Sequence, residues 1–175
     1  FFTPLAAEHD RNYVAFAAGS GITPVLSLIR TTLAREPRSR FTLVYGNRRQ
    51  ANVMFHEALE DLKGRYLTRF RLYNVFSREE QDVEIFNGRI DAAKGRQFLA
   101  TVIPVTSIDE AFVCGPASMI DEVELALITA GVARDHVHVE RFGVPGAAAA
   151  APIDDAEAAE AKLTLIIDGV KREVD

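Results

Sequence analysis

The sequence contains a single cysteine, Cys114, in 175 residues. One thiol excludes a disulfide framework within the chain, and it excludes a zinc or iron–sulfur site built from four cysteines of this chain. No run approaches the roughly eighteen consecutive apolar residues of a membrane-spanning helix, and no basic segment followed by an apolar one suggests a secretory leader. We therefore expect a cytoplasmic protein that does not insert into a membrane.

Positive charge is also scarce. The chain has 20 Lys and Arg against 25 Asp and Glu, which gives a net charge of −5. Binding to the phosphate backbone of nucleic acids needs a cationic surface, so nucleic acid is not an expected partner. Hydrophobic residues make up 48% of the chain, enough for the core of one domain or of one domain and a fragment. Because the sequence starts at Phe1 and stops within a strand-like pattern, we expect a piece of a longer polypeptide.

Short apolar segments alternate with segments of helical periodicity over the first 141 residues. Each apolar segment is the length of a buried strand, and each is followed by apolar residues spaced three and four apart. This alternation predicts an α/β fold: a doubly wound five-stranded parallel sheet with helices on both faces and a ligand site at the carboxyl ends of the strands. The strands are predicted at residues 13–18, 41–45, 70–76, 111–114 and 136–141.

Helix boundaries are predicted from capping residues. Thr23 and Pro24 are expected as the cap and the first residue of the first helix. Asp91 is expected to cap a later helix, and Gly131 to end the helix that starts at Pro116. In the second helix the spacing predicts an inner face formed by Phe55, Leu59 and Leu62. Gly64 is expected to end this helix.

The composition changes after Gly143 to prolines, a run of alanines and acidic residues, which is typical of a linker. Beyond it, two apolar segments flank Asp168-Gly169, a strong signal for a β-hairpin. An isolated hairpin is only marginally stable, so it is expected to open a second domain. The predicted organisation is a nucleotide-binding domain at 1–143, a linker at 144–161 and a hairpin at 162–175.

Two glycine corners, each between a predicted strand and a predicted helix, are the candidate binding site. Gly19-Ser20-Gly21 lets backbone amides approach a diphosphate while the following helix points its positive end at the same charge. The alternative is that these glycines only make a tight turn. Pro24 replaces the third glycine of the common dinucleotide fingerprint, and no acidic residue ends the second strand, so that fingerprint is not met.

Five short segments, in this order and spacing, resemble the pyridine-nucleotide domain of the ferredoxin-NADP reductase family, and in particular its oxygenase reductases. The similarity spans residues 13–142, and it implies a flavin domain before this one and a plant-type 2Fe-2S domain after it. The hairpin would then be the first part of an incomplete ferredoxin-like domain. The segments are Gly19 to Pro24, Tyr45 to Arg48, Ser77 to Glu79, Cys114 to Pro116 and Glu140 to Phe142.

The resemblance implies a role for each matching residue. The diphosphate would lie on Gly19, Ser20, Gly21, Ile22, Thr23 and Pro24. Ser77 and Arg78 would bind a 2′-phosphate, which favours NADPH and leaves NADH possible, and a guanidinium beside a hydroxyl suits that dianion. Asn47 and Arg48 would contact the cofactor, with Arg48 facing either its adenosine part or solvent.

The remaining implied roles concern the reacting end of the cofactor. Cys114 would lie against the nicotinamide, with Gly115 and Pro116 shaping the pocket, and Glu140 and Phe142 would lie near the FAD ring. The implied activity is transfer of electrons from NADPH through FAD and a 2Fe-2S centre to an oxygenase, in aromatic degradation. The fragment alone is expected to be inactive, and no metal site is expected within it.

The sequence also allows three other interpretations. The domain could sense a dinucleotide without catalysis, or it could dock an oxygenase through the polar segment at residues 77–87. The third is a metal site on the fifth strand, since His136, His138 and Glu140 alternate along it. We consider this metal site weaker because the pattern offers no fixed further ligand.

Overall fold

The structure is a computed structural model, and it describes residues 5–141, 163–167 and 170–174. The chain divides into two units, residues 1–142 and 143–175. The strands are β1 Asn12–Ala18, β2 Arg40–Asn47, β3 Phe70–Phe76, β4 Glu110–Cys114, β5 Val137–Glu140, β6 Leu163–Ile167 and β7 Val170–Val174. The α-helices are α1 Ile22–Arg35, α2 His56–Arg65, α3 Ala92–Thr101 and α4 Ala117–Ala130. No helix within the described ranges has the length and apolar character needed to cross a membrane.

The first unit contains a five-stranded sheet in the order β3-β2-β1-β4-β5, with every neighbouring pair parallel. Alternate residues of β1 face opposite layers, because successive side chains of a strand point to opposite sides. Tyr13 and Ala15 pack with α1 and α2, whereas Val14 and Phe16 pack with α3 and α4. The predicted doubly wound sheet is confirmed. Its winding reverses between β1 and β4, so the carboxyl ends of these two strands border the crevice where such folds bind ligands.

The first helix begins earlier than the sequence predicts. Gly19–Gly21 forms a 3₁₀ turn that continues directly into α1, and Gly21 is the N-cap with helical angles (φ −60°, ψ −12°) and no capping side chain. Thr23 is therefore the second helical residue instead of the cap, and Pro24 is the third. Proline is tolerated there because the first N–H groups of a helix have no intrahelical acceptor.

The second helix also differs from its prediction, whereas the later capping predictions are confirmed. Phe55 precedes α2 with a left-handed backbone (φ 58°) and is 45% exposed, so it is not on the inner face that Leu59 and Leu62 form. Gly64 lies inside the last turn, and the Tyr66 N–H closes the helix on the Leu62 carbonyl. Later in the chain, Asp91 caps α3 by accepting a hydrogen bond from the Lys94 N–H (2.8 Å). Gly131 ends α4 with a left-handed backbone (φ 110°).

A buried carboxylate joins the segment before β1 to the turn after α1. Glu36 is fully buried and accepts hydrogen bonds from the Ser39 hydroxyl (2.7 Å) and the Tyr13 hydroxyl (2.9 Å), with His9 Nδ1 at 2.9 Å. Burial acts to raise the pKa of Glu36, but the hydrogen bonds from Ser39, His9 and Tyr13 outweigh it and lower that pKa below 4.5. The carboxylate is therefore ionised inside the protein.

The second unit contains the antiparallel pair β6 and β7, in register from Leu163 opposite Val174 to Ile167 opposite Val170. These strands confirm the hairpin expected from the sequence. The Asp168-Gly169 turn and the linker at 144–161 lie outside the described residues.

Candidate dinucleotide site

A cavity of about 730 Å³ lies at the carboxyl ends of the parallel strands. Its size is in the range of cofactor sites. It includes these predicted residues: Gly19, Ser20, Gly21, Asn47, Arg48, Ser77, Arg78, Gly115 and Pro116. The lining also contains Gly46, which lies in the matched segment from Tyr45 to Arg48. It further contains residues that the sequence did not single out for the site: Ala18, Asn52, Gly88, Arg89, Ile90, Ser118 and Met119.

Several predicted residues lie outside this lining. Ile22 is fully buried and anchors the start of α1 in the core, whereas Thr23 is exposed and Pro24 half-buried in the same turn. Cys114 is fully buried at the end of β4, and Glu140 is half-buried at the end of β5. Phe142 lies outside the described residues.

The two glycine corners are in direct contact. A Cβ atom on Gly21 would lie 2.3 Å from the carbonyl oxygen of Cys114 and 2.8 Å from the backbone nitrogen of Gly115. A Cβ atom on Gly115 would lie 2.8 Å from the methyl carbon of Met119 and 3.3 Å from the Ala18 backbone. Real Cβ atoms do not approach backbone so closely, so Gly21 must be glycine for the β1 and β4 corners to meet. At Gly115 the shortest contact is with the flexible end of Met119, which can shift, so that position is tight but less strictly limited to glycine.

The first corner presents backbone N–H groups near the cavity. Gly19 has a left-handed backbone (φ 52°), which glycine adopts without a steric cost. Ile22 donates its N–H back to the Gly19 and Ser20 carbonyls, so the 3₁₀ turn leads directly into α1. The start of a fourteen-residue helix carries partial positive charge and favours a phosphate.

Hydrogen bonds beyond the ends of β2 and β3 hold the second part of the site. Ser77 donates its N–H to the Asn47 carbonyl (3.0 Å), and Arg78 donates its backbone N–H to the Arg48 carbonyl (2.9 Å). The Ser77-Arg78 pair therefore lies alongside Asn47-Arg48 at the edge of the cavity. Both arginines are exposed at the cavity.

Arg89 is a third exposed arginine at the cavity, and the sequence pattern did not indicate it. Gly88 directly before it has a left-handed backbone (φ 96°), and its N–H bonds to the Phe76 carbonyl (2.8 Å), which returns the chain to the end of β3. The sequence signal that could have identified Arg89 is its position directly after Gly88, a turn-forming glycine, at the end of the polar loop. Three guanidinium groups around one cleft favour an anionic ligand.

Asn47 supplies a test of whether a nucleotide fits. Its side-chain Nδ2 is buried near the Tyr45 hydroxyl, and at least one of its two N–H groups has no acceptor within residues 5–141 of the described structure. A buried donor without a partner costs roughly 1–3 kcal/mol. An oxygen of a bound ligand can satisfy this donor, and the glycine corners leave room for a phosphate, so the residues fit a dinucleotide.

Cys114 is protonated at neutral pH. Burial raises the pKa of its thiol to about 11, with a smaller contribution from the Glu140 carboxylate, which is paired with it across β4 and β5. Because the thiolate is the reactive form of cysteine, this group is unsuited to nucleophilic attack. It is suited to a role in positioning.

We expect Cys114 to resist alkylation in the folded protein. A pKa near 11, against 9.0 for an ordinary cysteine, reduces the thiolate at pH 8 about a hundredfold, and burial slows access further. Mass spectrometry after iodoacetamide treatment should detect slow modification of native protein and fast modification in guanidinium chloride. Equal rates in the two conditions would show that the thiol is accessible and ionised.

The interpretation of β5 as a metal site is not supported. His138 Nε2 lies 2.8 Å from Glu110 Oε2, and His136 Nδ1 lies 2.7 Å from the Asp109 carbonyl oxygen, so both imidazoles bond to the start of β4. His136 is also in the 3₁₀ turn before β5. Within the described part of the chain, no group of three or more His, Cys, Asp or Glu residues is placed to hold a metal ion.

The fold and the cavity are those of a doubly wound nucleotide-binding domain. The family described as "Oxidoreductase NAD-binding domain" matches residues 16–124, which is more than half of the chain. The chain belongs to this family. The resemblance to the ferredoxin-NADP reductase family is confirmed.

Two curated proteins are similar to most of this chain. The chain is 44% identical over 168 residues to a subunit of 1,2-phenylacetyl-CoA epoxidase from Escherichia coli (strain K12), a match that covers 96% of this chain and 47% of that protein. It is 38% identical over 141 residues to the ferredoxin reductase component of 3-ketosteroid-9-alpha-monooxygenase from Rhodococcus rhodochrous, covering 81% of this chain and 36% of that one. The chain thus spans less than half the length of these curated relatives.

A solved structure supports the same fold. The Amycolatopsis cytochrome P450 reductase GcoB superposes with a TM-score of 0.68 at 24% identity, covering 81% of this chain and 41% of that one. At this identity the likeness shows the fold alone.

Proposed function

We propose that this chain is the NAD(P)H-binding domain of a flavin-dependent reductase that supplies electrons to an oxygenase component in aromatic, phenylacetate-type degradation. The observation that carries the proposal is the contact between the two glycine corners beneath a cavity bordered by three arginines. The names of the two curated relatives, an epoxidase subunit and a monooxygenase reductase component, support the oxygenase as acceptor. Bound NADPH would supply hydride to FAD on another domain, and a 2Fe-2S centre would carry single electrons onward.

The first corner would bind the diphosphate. The amides of Gly19–Gly21 and the start of α1 offer donors and partial positive charge, and the cavity includes all three residues. Ile22 would hold this turn from the core, and Thr23 and Pro24 complete the first turn of α1. The Asn47 amide, which has at least one N–H without an acceptor in the protein, would donate to a ribose or phosphate oxygen.

The second corner would bind the nicotinamide. Gly115 and Pro116 line the cavity, and the Cys114 thiol beneath them would position the ring as a neutral, compact group. Glu140 and Phe142 would lie toward the flavin. Holding the reacting carbon in one orientation supplies much of the rate in such transfers.

The arginines favour a nucleotide with a 2′-phosphate. We expect Arg78→Ala to weaken NADP⁺ binding by about tenfold to a hundredfold, as loss of a charge-assisted hydrogen bond does, and to leave NAD⁺ binding nearly unchanged. Isothermal titration calorimetry with both nucleotides measures this difference. Arg89→Ala should act in the same direction because Arg89 borders the same cavity.

Arg71→Ala is the matched control, because Arg71 is exposed on β3 and is not part of the cavity. It should bind both nucleotides as the unaltered chain does. Equal losses of NADP⁺ and NAD⁺ affinity in Arg78→Ala would contradict the 2′-phosphate role.

The proposed domain organisation is residues 1–143 for nucleotide binding, 144–161 for the linker and 162–175 for the first hairpin of a ferredoxin-like domain. The test is the longer protein that includes the upstream domain. It should be yellow from bound FAD, and stopped-flow mixing with NADPH should bleach the flavin absorbance. Absence of flavin would refute the reductase, whereas bound flavin that NADPH cannot reduce would favour a dinucleotide-sensing module.

A further inference from the structure

The buried phenol of Tyr45 reaches the first glycine corner. Tyr45 is fully buried on β2, beside Ala17 of β1, and its hydroxyl donates to the Gly19 carbonyl oxygen at 3.0 Å. Burial raises the pKa of the Tyr45 phenol more than hydrogen bonds from the Asn47 side chain and the Met54 backbone lower it, so the hydroxyl keeps its proton and donates. Its ring would fill the core equally well without the oxygen.

The Gly19 carbonyl receives two hydrogen bonds from different parts of the chain. The Ile22 N–H approaches it from α1, and the Tyr45 hydroxyl approaches it from β2. Gly19 itself restrains the turn little, because it has a left-handed backbone and no heavy atom within 4 Å of the place where a Cβ would stand. The orientation of the Gly19–Ser20 peptide therefore depends on what holds its oxygen.

Peptide geometry transmits this restraint to the next residue. In a planar trans peptide the C=O of one residue and the N–H of the next point in opposite directions. With the Gly19 oxygen held toward the buried Tyr45, the Ser20 N–H is turned away from the core. Ser20 is exposed and lines the cavity, so this donor faces the ligand side.

We propose that Tyr45 is a positioning residue, whose hydroxyl orients the Gly19–Ser20 peptide so that the Ser20 N–H meets the cofactor diphosphate. The inference rests on the proposed function, and it deepens that function by giving a second layer to the diphosphate site. Tyr45 does not touch the ligand itself.

The test uses Tyr45→Phe in the 175-residue chain with two probes of different chemistry. ADP-ribose has the diphosphate and no 2′-phosphate, whereas adenosine 2′-monophosphate has the 2′-phosphate and no diphosphate. Loss of one net hydrogen bond should weaken ADP-ribose binding by roughly threefold to tenfold and leave adenosine 2′-monophosphate binding unchanged. Arg78→Ala should give the opposite pattern, which makes it the matched control.

Each other outcome overturns the inference. Equal loss of affinity for both probes in Tyr45→Phe would show a general structural role. Unchanged ADP-ribose binding would show that the hydroxyl is dispensable. Failure of the unaltered chain to bind either probe would refute the proposed function as well.

A second measurement is independent of the stability of the variant. In amide NMR spectra of the unaltered chain, ADP-ribose should shift the Ser20 N–H resonance, and adenosine 2′-monophosphate should not. A Ser20 resonance that ignores ADP-ribose while other cavity residues respond would refute the proposed orientation.

Discussion

Replacement of Gly21 by alanine should abolish nucleotide binding and lower the free energy of unfolding by about 3 kcal/mol. The new Cβ would lie 2.3 Å from the Cys114 carbonyl oxygen and 2.5 Å from its carbon. These are backbone atoms of a buried central strand, so they cannot move aside as the end of a flexible side chain can. The β1 and β4 corners would have to separate, and the cavity between them would change shape. Urea denaturation and NADP⁺ titration measure the two effects.

Gly64→Ala is the matched control for this substitution. Gly64 lies in the last turn of α2 with no heavy atom within 4 Å of its Cβ position, and its φ is not positive. Alanine there should raise the free energy of unfolding by about 0.5–1 kcal/mol, since glycine is a poor helix former. A Gly21→Ala protein of normal stability and affinity would show that the two corners are not packed as described.

Replacement of Glu36 by alanine should lower the free energy of unfolding by about 3 kcal/mol, because it leaves buried donors without an acceptor. The Tyr13 and Ser39 hydroxyls both point at this carboxylate. The effect should appear in urea denaturation at neutral pH. Glu57→Ala, which removes an exposed carboxylate of α2, serves as the control and should change stability by less than about 0.5 kcal/mol.

The pH dependence gives a second readout for the same residue. The pKa of Glu36 is lower in the folded protein than its ordinary value of 4.5, so the unfolded chain binds the extra proton first. Its contribution to stability is therefore fully present above about pH 4.5 and is lost as the pH falls through the lower folded value. In Glu36→Gln the stability should fall less steeply below pH 4.5. An unchanged acid profile would mean that the carboxylate is not the ionised group described.

Much of the fold follows from local sequence patterns. Buried parallel strands such as β1 and β4 are continuous apolar runs, and the helices between them repeat at helical spacing, so element order and sheet class were predictable. The start of α1 was not, because Gly21 takes helical angles in close contact with the β4 corner, which local spacing does not reveal. The environment of Glu36 was not predictable either. It follows Arg35 in a polar segment, and its partner Tyr13 is 23 positions away.

The candidate site, like the fold, was predictable only in part. The position of Ser77 and Arg78 at the cavity was predictable, because they directly follow a strand and share its edge of the sheet. Arg89 depends on how the loop after β3 returns to Phe76, which spacing alone does not reveal. Tyr45 begins one of the segments that carry the resemblance, but its role was not indicated, since a tyrosine in an apolar strand is an ordinary core residue until its hydroxyl is traced to Gly19.

The absence of a side chain at Gly21 also determines the distance between the starts of two helices. Gly21 touches the Cys114 carbonyl, so one van der Waals contact fixes the separation between the start of α1 and the start of α4. Under the proposed function, these two points hold the diphosphate and the nicotinamide of one ligand. Because this separation is fixed, a molecule whose two ends are spaced differently cannot contact both corners at once, whatever its affinity for either.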